Sequence, residues 1–194
     1  MFIDEGRRAE EADVAEYYAG EREVWGFVPN YAACFAPRPE VARAWRGLNG
    51  VIRSGMDRRR YEIASIGAAR ARRSTYCTAA HSKVLRDVCG DEEAVRAIAG
   101  GAGLSPVDEA VLRFAGKVAD DAASVEQSDV DELRALGLSD GDVADVVYAA
   151  AARAFFTAVL DGLGARLDAR TAAAFDPGLR AAMVVGRPAA DPAG

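Results

Sequence analysis

The sequence predicts an all-α protein, a bundle of many helices, on three observations. Ala, Arg, Glu and Leu, all good helix formers, dominate the chain. No window alternates apolar and polar residues long enough to read as a half-buried strand. N-cap residues, first-turn prolines and closing glycines recur at helical spacing. The 194 residues suffice for one domain with a real core, taken as residues 1–176. From Pro177 a tail ending in "GRPAADPAG" has the composition of a loosely ordered terminus, residues 177–194.

The first helix is expected over "RAEEADVAEYYAG", stopped by Gly20. The stretch "VWGFVPNYAACF" follows as irregular chain, because Gly26 and Pro29 interrupt any helical pattern. Pro39 opens a helix of about four turns to Arg53, with Val41, Ala44, Trp45 and Leu48 on one apolar face. The next helix, "RRRYEIASIGAARAR", aligns Ile63, Ile66 and Ala69. It must end near Ala71 and Arg72, because Ser74 is a new N-cap, with Thr75, Tyr76 and Cys77 as the first helical residues. Asp91 caps "EEAVRAIAG". Ser105 caps "SPVDEAVLRFAGKVADD", with Pro106 at the first position and Asp108 and Glu109 in the first turn. "SDVDELRALG" closes at Gly137. The longest and most apolar helix runs from Ser139 through "VVYAAAARAFFTAVLDGLG" and is expected at the centre of the core, carrying Val143, Val146, Val147, Ala150, Phe155, Val159 and Leu163.

Charge and cysteine usage bound the function. Thirty acidic against 24 basic residues give a net charge of −6, which argues against non-specific affinity for nucleic acid or an anionic membrane and favours a small molecule or protein partner. No run of eighteen apolar residues appears, and the acidic N-terminus is unlike a signal peptide, so a cytoplasmic protein is expected. Cys34, Cys77 and Cys89 do not form a disulfide framework, and reduced thiols are the default. No metal-ligand spacing or phosphate-binding glycine loop is present, and no cofactor is expected.

The single histidine, His81, follows Cys77 by four residues, so on a helix the two share a face one turn apart. A thiol in the first turn lies where the helix dipole favours thiolate, with the Ser74 hydroxyl accepting from the Cys77 backbone N–H and the imidazole at hand as proton acceptor. The spacing describes an activated thiol. The same residues also read as a small buried hydrophobe and a satisfied histidine. Glu62 adds to the first reading: a turn near Ala71 and Arg72 brings it level with His81 on antiparallel neighbours, giving a Glu–His–Cys proton relay. On charge pattern alone Glu62 reads as a surface carboxylate paired with Arg58 or Arg59.

Glu62, eleven intervening residues, Ser74-Thr75-Tyr76-Cys77, then three residues and His81 resemble the signature of the AhpD-like, or carboxymuconolactone decarboxylase, family. "GFVPNYAACFAPRPEVARAW", "LSPVDEAVLRFAGKVADD", "LRALGLSDGDVADVVYAAA" and "DGLGARLD" are similar to its peroxidase-related branch, so the likeness spans about residues 20–168. It implies an all-helical homo-oligomer that reduces hydrogen or organic peroxides, with Cys77 as the attacking thiolate and Glu62 and His81 as its relay. Ser74 stands where the first, resolving cysteine of that signature would be. An external thiol, a thiol-bearing protein or a partner subunit would then have to reset the site. Cys89 lies twelve residues past Cys77, about 18 Å away along one helix and too far to bridge. The family's other name implies a second activity, a lyase acting on a small carboxylated lactone through Glu62 and His81. A non-catalytic oligomer with a decayed site is the third reading.

Other candidates are Tyr76, as a donor to substrate or a packing residue, and the arginines 58, 59, 60, 70, 72 and 73, as an anionic entrance or a solvated face. Arg153, inside the apolar last helix, reads as a paired interface charge or a surface residue at the end of the stripe.

Overall fold

The computed structural model describes residues 1–2 and 11–190, which contain helices and no strand. Helix α1 spans Glu11–Trp25, α2 Ala32–Phe35, α3 Pro39–Gly55 and α4 Arg58–Ala71. They are followed by α5 at Thr75–Asp87, α6 at Glu92–Gly100, α7 at Pro106–Asp121, α8 at Gln127–Ala135, and α9 at Asp140–Leu163. Two short helices, α10 at Ala169–Ala173 and α11 at Pro177–Ala182, complete the chain.

Several capping expectations hold atom by atom. The side chains of Asp91, Ser105 and Ser139 accept from Ala94 N, Asp108 N and Asp142 N, satisfying first-turn donors that have no partner within the helix. Pro39 and Pro106 stand in the first turn of α3 and α7, where a missing N–H costs nothing.

Three expectations need correction. Arg8, the expected start of the first helix, lies outside the described residues, and Gly20 does not stop α1. The helix continues to Trp25, since Tyr17 and Glu21 are buried on its inner face and outweigh the cost of one helical glycine. Gly26, at φ +75°, is the real stop. Within the stretch expected to be irregular, Ala32–Phe35 forms a short helix that buries Ala32, Cys34 and Phe35. The tail expected from Pro177 is ordered as far as Ala190, and its last residues, 191–194, lie outside the described residues. It forms α11, capped by Asp176 through Leu179 N, and buries Leu179 and Met183. It then crosses the α4–α5 turn, where Gly186 N donates to Thr75 Oγ1 at 3.1 Å, and Ala190 N reaches Leu167 O at 2.8 Å. A Cβ at Gly186 would stand 1.8 Å from Arg73 O, so only glycine permits this approach.

The core is centred on α4, which packs against α5, α7 and α9. Tyr61 to Ala69 are all buried, including Ile63 and Ile66. At Gly67 a Cβ would lie 2.2 Å from Leu112 O, so this glycine sets the close approach of α4 and α7. Helix α9 is long and apolar enough, by length and composition, to cross a bilayer. Here it is a core helix whose inner face buries Val146, Ala150, Arg153, Phe156 and Leu160. Phe155 points outward instead, and Phe156 takes the interior place.

Candidate active site

Two local devices position the thiol. The first is the turn between α4 and α5. Ser74 N donates to Ala69 O at 2.9 Å and Arg73 N to Arg70 O at 2.9 Å, a Schellman-like closure with Arg73 at φ 55° in the place glycine usually takes. This fold-back makes α4 and α5 neighbours, as the sequence expects. The second is the i,i+4 spacing on α5, which puts His81 one turn beyond Cys77.

The relay forms. His81 Nδ1 lies 2.5 Å from Glu62 Oε2, and Arg58 Nε donates to Glu62 Oε1 at 2.7 Å. Glu62 is fully buried, so it is no surface carboxylate, yet its pairing with Arg58 is the one the charge pattern suggested. Burial works against the carboxylate, but His81, Arg58 and Arg153 together hold it below its ordinary pKa, so it stays ionised. Burial and Arg153 hold the imidazole below its ordinary value against the pull of Glu62, leaving it neutral near pH 7. A carboxylate accepts hydrogen bonds, so Nδ1 carries the proton, and Nε2 is the nitrogen left to take one.

Cys77 departs from expectation. It is 1% exposed, and burial pushes its thiol above the ordinary value, with Asp161 adding to the rise. Arg153 and Ser74 pull the other way without reversing it. The resting group is a protonated thiol, because loss of solvation outweighs the first-turn dipole. Ser74 stands at the N-cap position, but its hydroxyl makes no cap hydrogen bond and, although buried, has no partner at hydrogen-bonding geometry. The Tyr76 hydroxyl donates to Asp168 Oδ2, which commits the proton it was expected to offer a substrate.

A fourth residue completes the site. Arg153 of α9 is 3% exposed, and its Nη1 lies 3.9 Å from Cys77 Sγ. Its Nη2 donates to Tyr61 Oη at 3.3 Å, and Tyr61 donates to Asn49 Oδ1 at 2.7 Å. The rings of Trp45 and Phe156 lie 5.6 and 5.5 Å from its guanidinium carbon and 4.2 Å from each other. Nε has no partner, and among the described residues no carboxylate forms an ion pair with Arg153. It is neither an interface charge nor a surface residue. Its signal in the sequence was a lone cation in an apolar helix; what it faced was invisible there.

The arginine cluster is absorbed into structure. Arg59 bridges Asp91 and Asp108, Arg60 pairs with Asp142, and Arg70 and Arg73 donate to carbonyls of the C-terminal segment. Cys34 Sγ faces Met1 Sδ at 3.8 Å, and Cys89 lies beyond the end of α5. A surface cavity of about 450 Å³, lined by residues such as Val28, Asn30 and Arg166, does not include the thiol.

Residues 39–121, which span Glu62, Cys77 and His81, match the model of the carboxymuconolactone decarboxylase family. The segment that carries the candidate site therefore resembles that family. Among solved structures, a peroxidase-related protein from Ralstonia eutropha JMP134, described as an alkylhydroperoxidase AhpD core, is 25% identical over 82% of this chain and 87% of its own, with a TM-score of 0.68. A peroxidase-related protein from Silicibacter sp. TM1040 shares the fold at 21% identity and a TM-score of 0.75, covering 88% of this chain and 93% of its own. A cysteine-to-alanine variant of the debrominase Bmp8, in complex with 2,3,4-tribromopyrrole, shares it at 17% identity and a TM-score of 0.68, over 91% of this chain and 94% of its own. No curated protein matches the chain. The family match over residues 39–121 and the all-helical AhpD-like fold agree with each other, and the neighbours' names show that the fold hosts more than one chemistry.

Proposed function

We propose that this protein is a thiol-dependent oxidoreductase that reduces hydroperoxides through Cys77. The observation that supports this best is a buried guanidinium 3.9 Å from the Cys77 sulfur, on a thiol whose helix carries, one turn on, an imidazole held by Glu62 at 2.5 Å. His81 Nε2 accepts the thiol proton, Glu62 stabilises the imidazolium that forms, and Arg153 supplies the counter-charge for the thiolate. The thiolate attacks one peroxide oxygen, an S–O bond forms, and the O–O bond breaks. The proton held by His81 goes to the leaving oxygen, giving a Cys77 sulfenic acid and an alcohol or water. With serine at position 74, reduction then needs an external thiol, small or protein-borne.

The test is peroxide consumption by purified protein with a thiol reductant, combined with mass-spectrometric detection of Cys77 oxidation. Turnover that survives Cys77→Ser would reject the reading. The raised thiol pKa favours one rival, a lyase in which Glu62 and His81 do acid–base work on a carboxylated substrate. That rival requires activity without peroxide, lost in His81→Ala and kept in Cys77→Ser.

A further inference from the structure

The two groups that flank the thiol from outside the relay share one property: each has an unmet hydrogen-bonding position. Ser74 Oγ and Arg153 Nε are both buried without a partner, and Arg153 Nη1 stands 3.9 Å from Sγ, longer than a strong charged hydrogen bond. Ser74 lies near enough to Asp161 and Cys77 to pull both pKa values down, yet its Oγ meets neither at full hydrogen-bonding geometry, and Asp161 Oδ2 is likewise unpartnered. Buried polar atoms in folded proteins are satisfied in the great majority, so orphans on both sides of one reactive atom need an explanation. The side chain between them is the one that gains an oxygen during the reaction.

We propose that Arg153 and Ser74 are positioning residues for the oxidised cysteine, donating to the sulfenic oxygen of Cys77 and making the site a keeper of that intermediate. An oxygen on Sγ brings an acceptor into the space between Sγ and the guanidinium, where the charged Nη1 is placed to donate to it. The Ser74 hydroxyl, free of any capping bond, donates from the head of α5. The sequence position of Ser74 then has a physical role. A hydroxyl three residues before Cys77 steadies the oxidised sulfur where a thiol would consume it. Burial at 1% exposure protects the intermediate from chance encounters in solvent, so it waits for a thiol able to enter. The inference rests on the peroxidase reading. Peroxide oxidises the sulfur by two electrons and is itself reduced to alcohol or water, and no other oxidant is required.

The experiment uses the full chain, pulsed with hydrogen peroxide that catalase then removes, with samples quenched at intervals into urea containing dimedone and the Cys77 adduct counted by mass spectrometry. Arg153→Met is expected to shorten the sulfenic-acid lifetime by about tenfold or more, and Ser74→Ala by about threefold, the loss of a charged and a neutral hydrogen bond respectively. Arg153→Lys, which keeps the charge without the planar guanidinium, should fall between wild type and Arg153→Met. Should Arg153→Met fail to fold, as a melt would reveal, Ser74→Ala and Arg153→Lys decide alone. Adduct that forms normally and decays at the wild-type rate in the folded variants overturns the inference and leaves the peroxidase reading standing. Absence of any adduct in wild type removes the peroxidase reading, and this inference falls with it.

Discussion

The two flanks of Cys77 are built on opposite principles. On the α4–α5 flank the polar groups are paired in sequence: Arg58 pairs with Glu62, Glu62 with His81, and the carboxylate stays ionised despite burial because two partners face it. On the α9 flank the charge is unbalanced. Arg153 is a buried cation with no carboxylate paired to it among the described residues, cushioned by Trp45 and Phe156 and tied to Tyr61, with one nitrogen unused. A closed network holds a proton in place, whereas an open one waits for negative charge to appear. On the proposed function, the first flank would move the proton and the second would stabilise charge.

The largest expected effect is on the atom both flanks serve. Cys77→Ser should reduce peroxide turnover to background in a coupled assay. Next comes the closed flank: His81→Ala should lower turnover by about 10²–10⁴-fold. Glu62→Gln, which keeps the shape and removes the charge, should lower it by about 10–100-fold. A Glu62→Gln variant as active as wild type would break the assignment of proton movement to this flank.

The open flank is read through the thiol itself. The Cys77 pKa lies above the ordinary thiol value, so its alkylation rate should rise with pH across the alkaline range, where a thiolate-based site would be flat. Arg153→Met removes the main opposing charge and should move that profile further to alkaline pH, while Arg153→Lys should leave it near wild type. Equal profiles for Arg153→Met and wild type would show that the guanidinium does not act on the sulfur.

A smaller effect concerns stability against pH. Glu62 and His81 both have folded-state pKa values below their unfolded ones. The unfolded chain therefore binds more protons, and stability is fully present above about pH 6.5 and falls as acid is added, first through His81 and then through Glu62. Urea midpoints should decline from pH 7 to 5, and His81→Gln should flatten that first decline. The smallest, on the face of α4 that meets α7, is Gly67→Ala, expected to cost about 1–3 kcal/mol by driving a methyl group into the α7 backbone near Leu112. Unchanged activity per folded molecule would confirm that the effect is one of packing alone.

Legibility followed the range of the interaction. The Glu62–His81 pair was readable because its parts are close in sequence: Cys77 and His81 are one turn apart on α5, and the turn that brings Glu62 to His81 is itself a local capping event. Ser74 was placed correctly at the head of α5 but given the wrong bond, since the N-cap position does not oblige its side chain to point back at the helix. The ionisation of Cys77 was misjudged for a different reason. First-turn position and a neighbouring imidazole can be counted along the chain, while the burial that outweighs them depends on α4, α9 and the C-terminal segment closing around the site. That segment read as loose from its composition, yet Leu179, Met183 and Gly186 each find a specific place against the bundle.

The helical class, most of the helix starts, and the grouping of Glu62, Cys77 and His81 are therefore written in the chain. Each follows from propensity, caps and spacing within one or two helices, where backbone geometry leaves few alternatives. Packing of the bundle, and nothing shorter in range, sets Arg153 beside a sulfur 76 residues away in sequence and leaves the thiol protonated at rest. Both depend on which helix faces cover Cys77 and how completely they exclude water, a property of the folded assembly of helices that no single stretch encodes on its own.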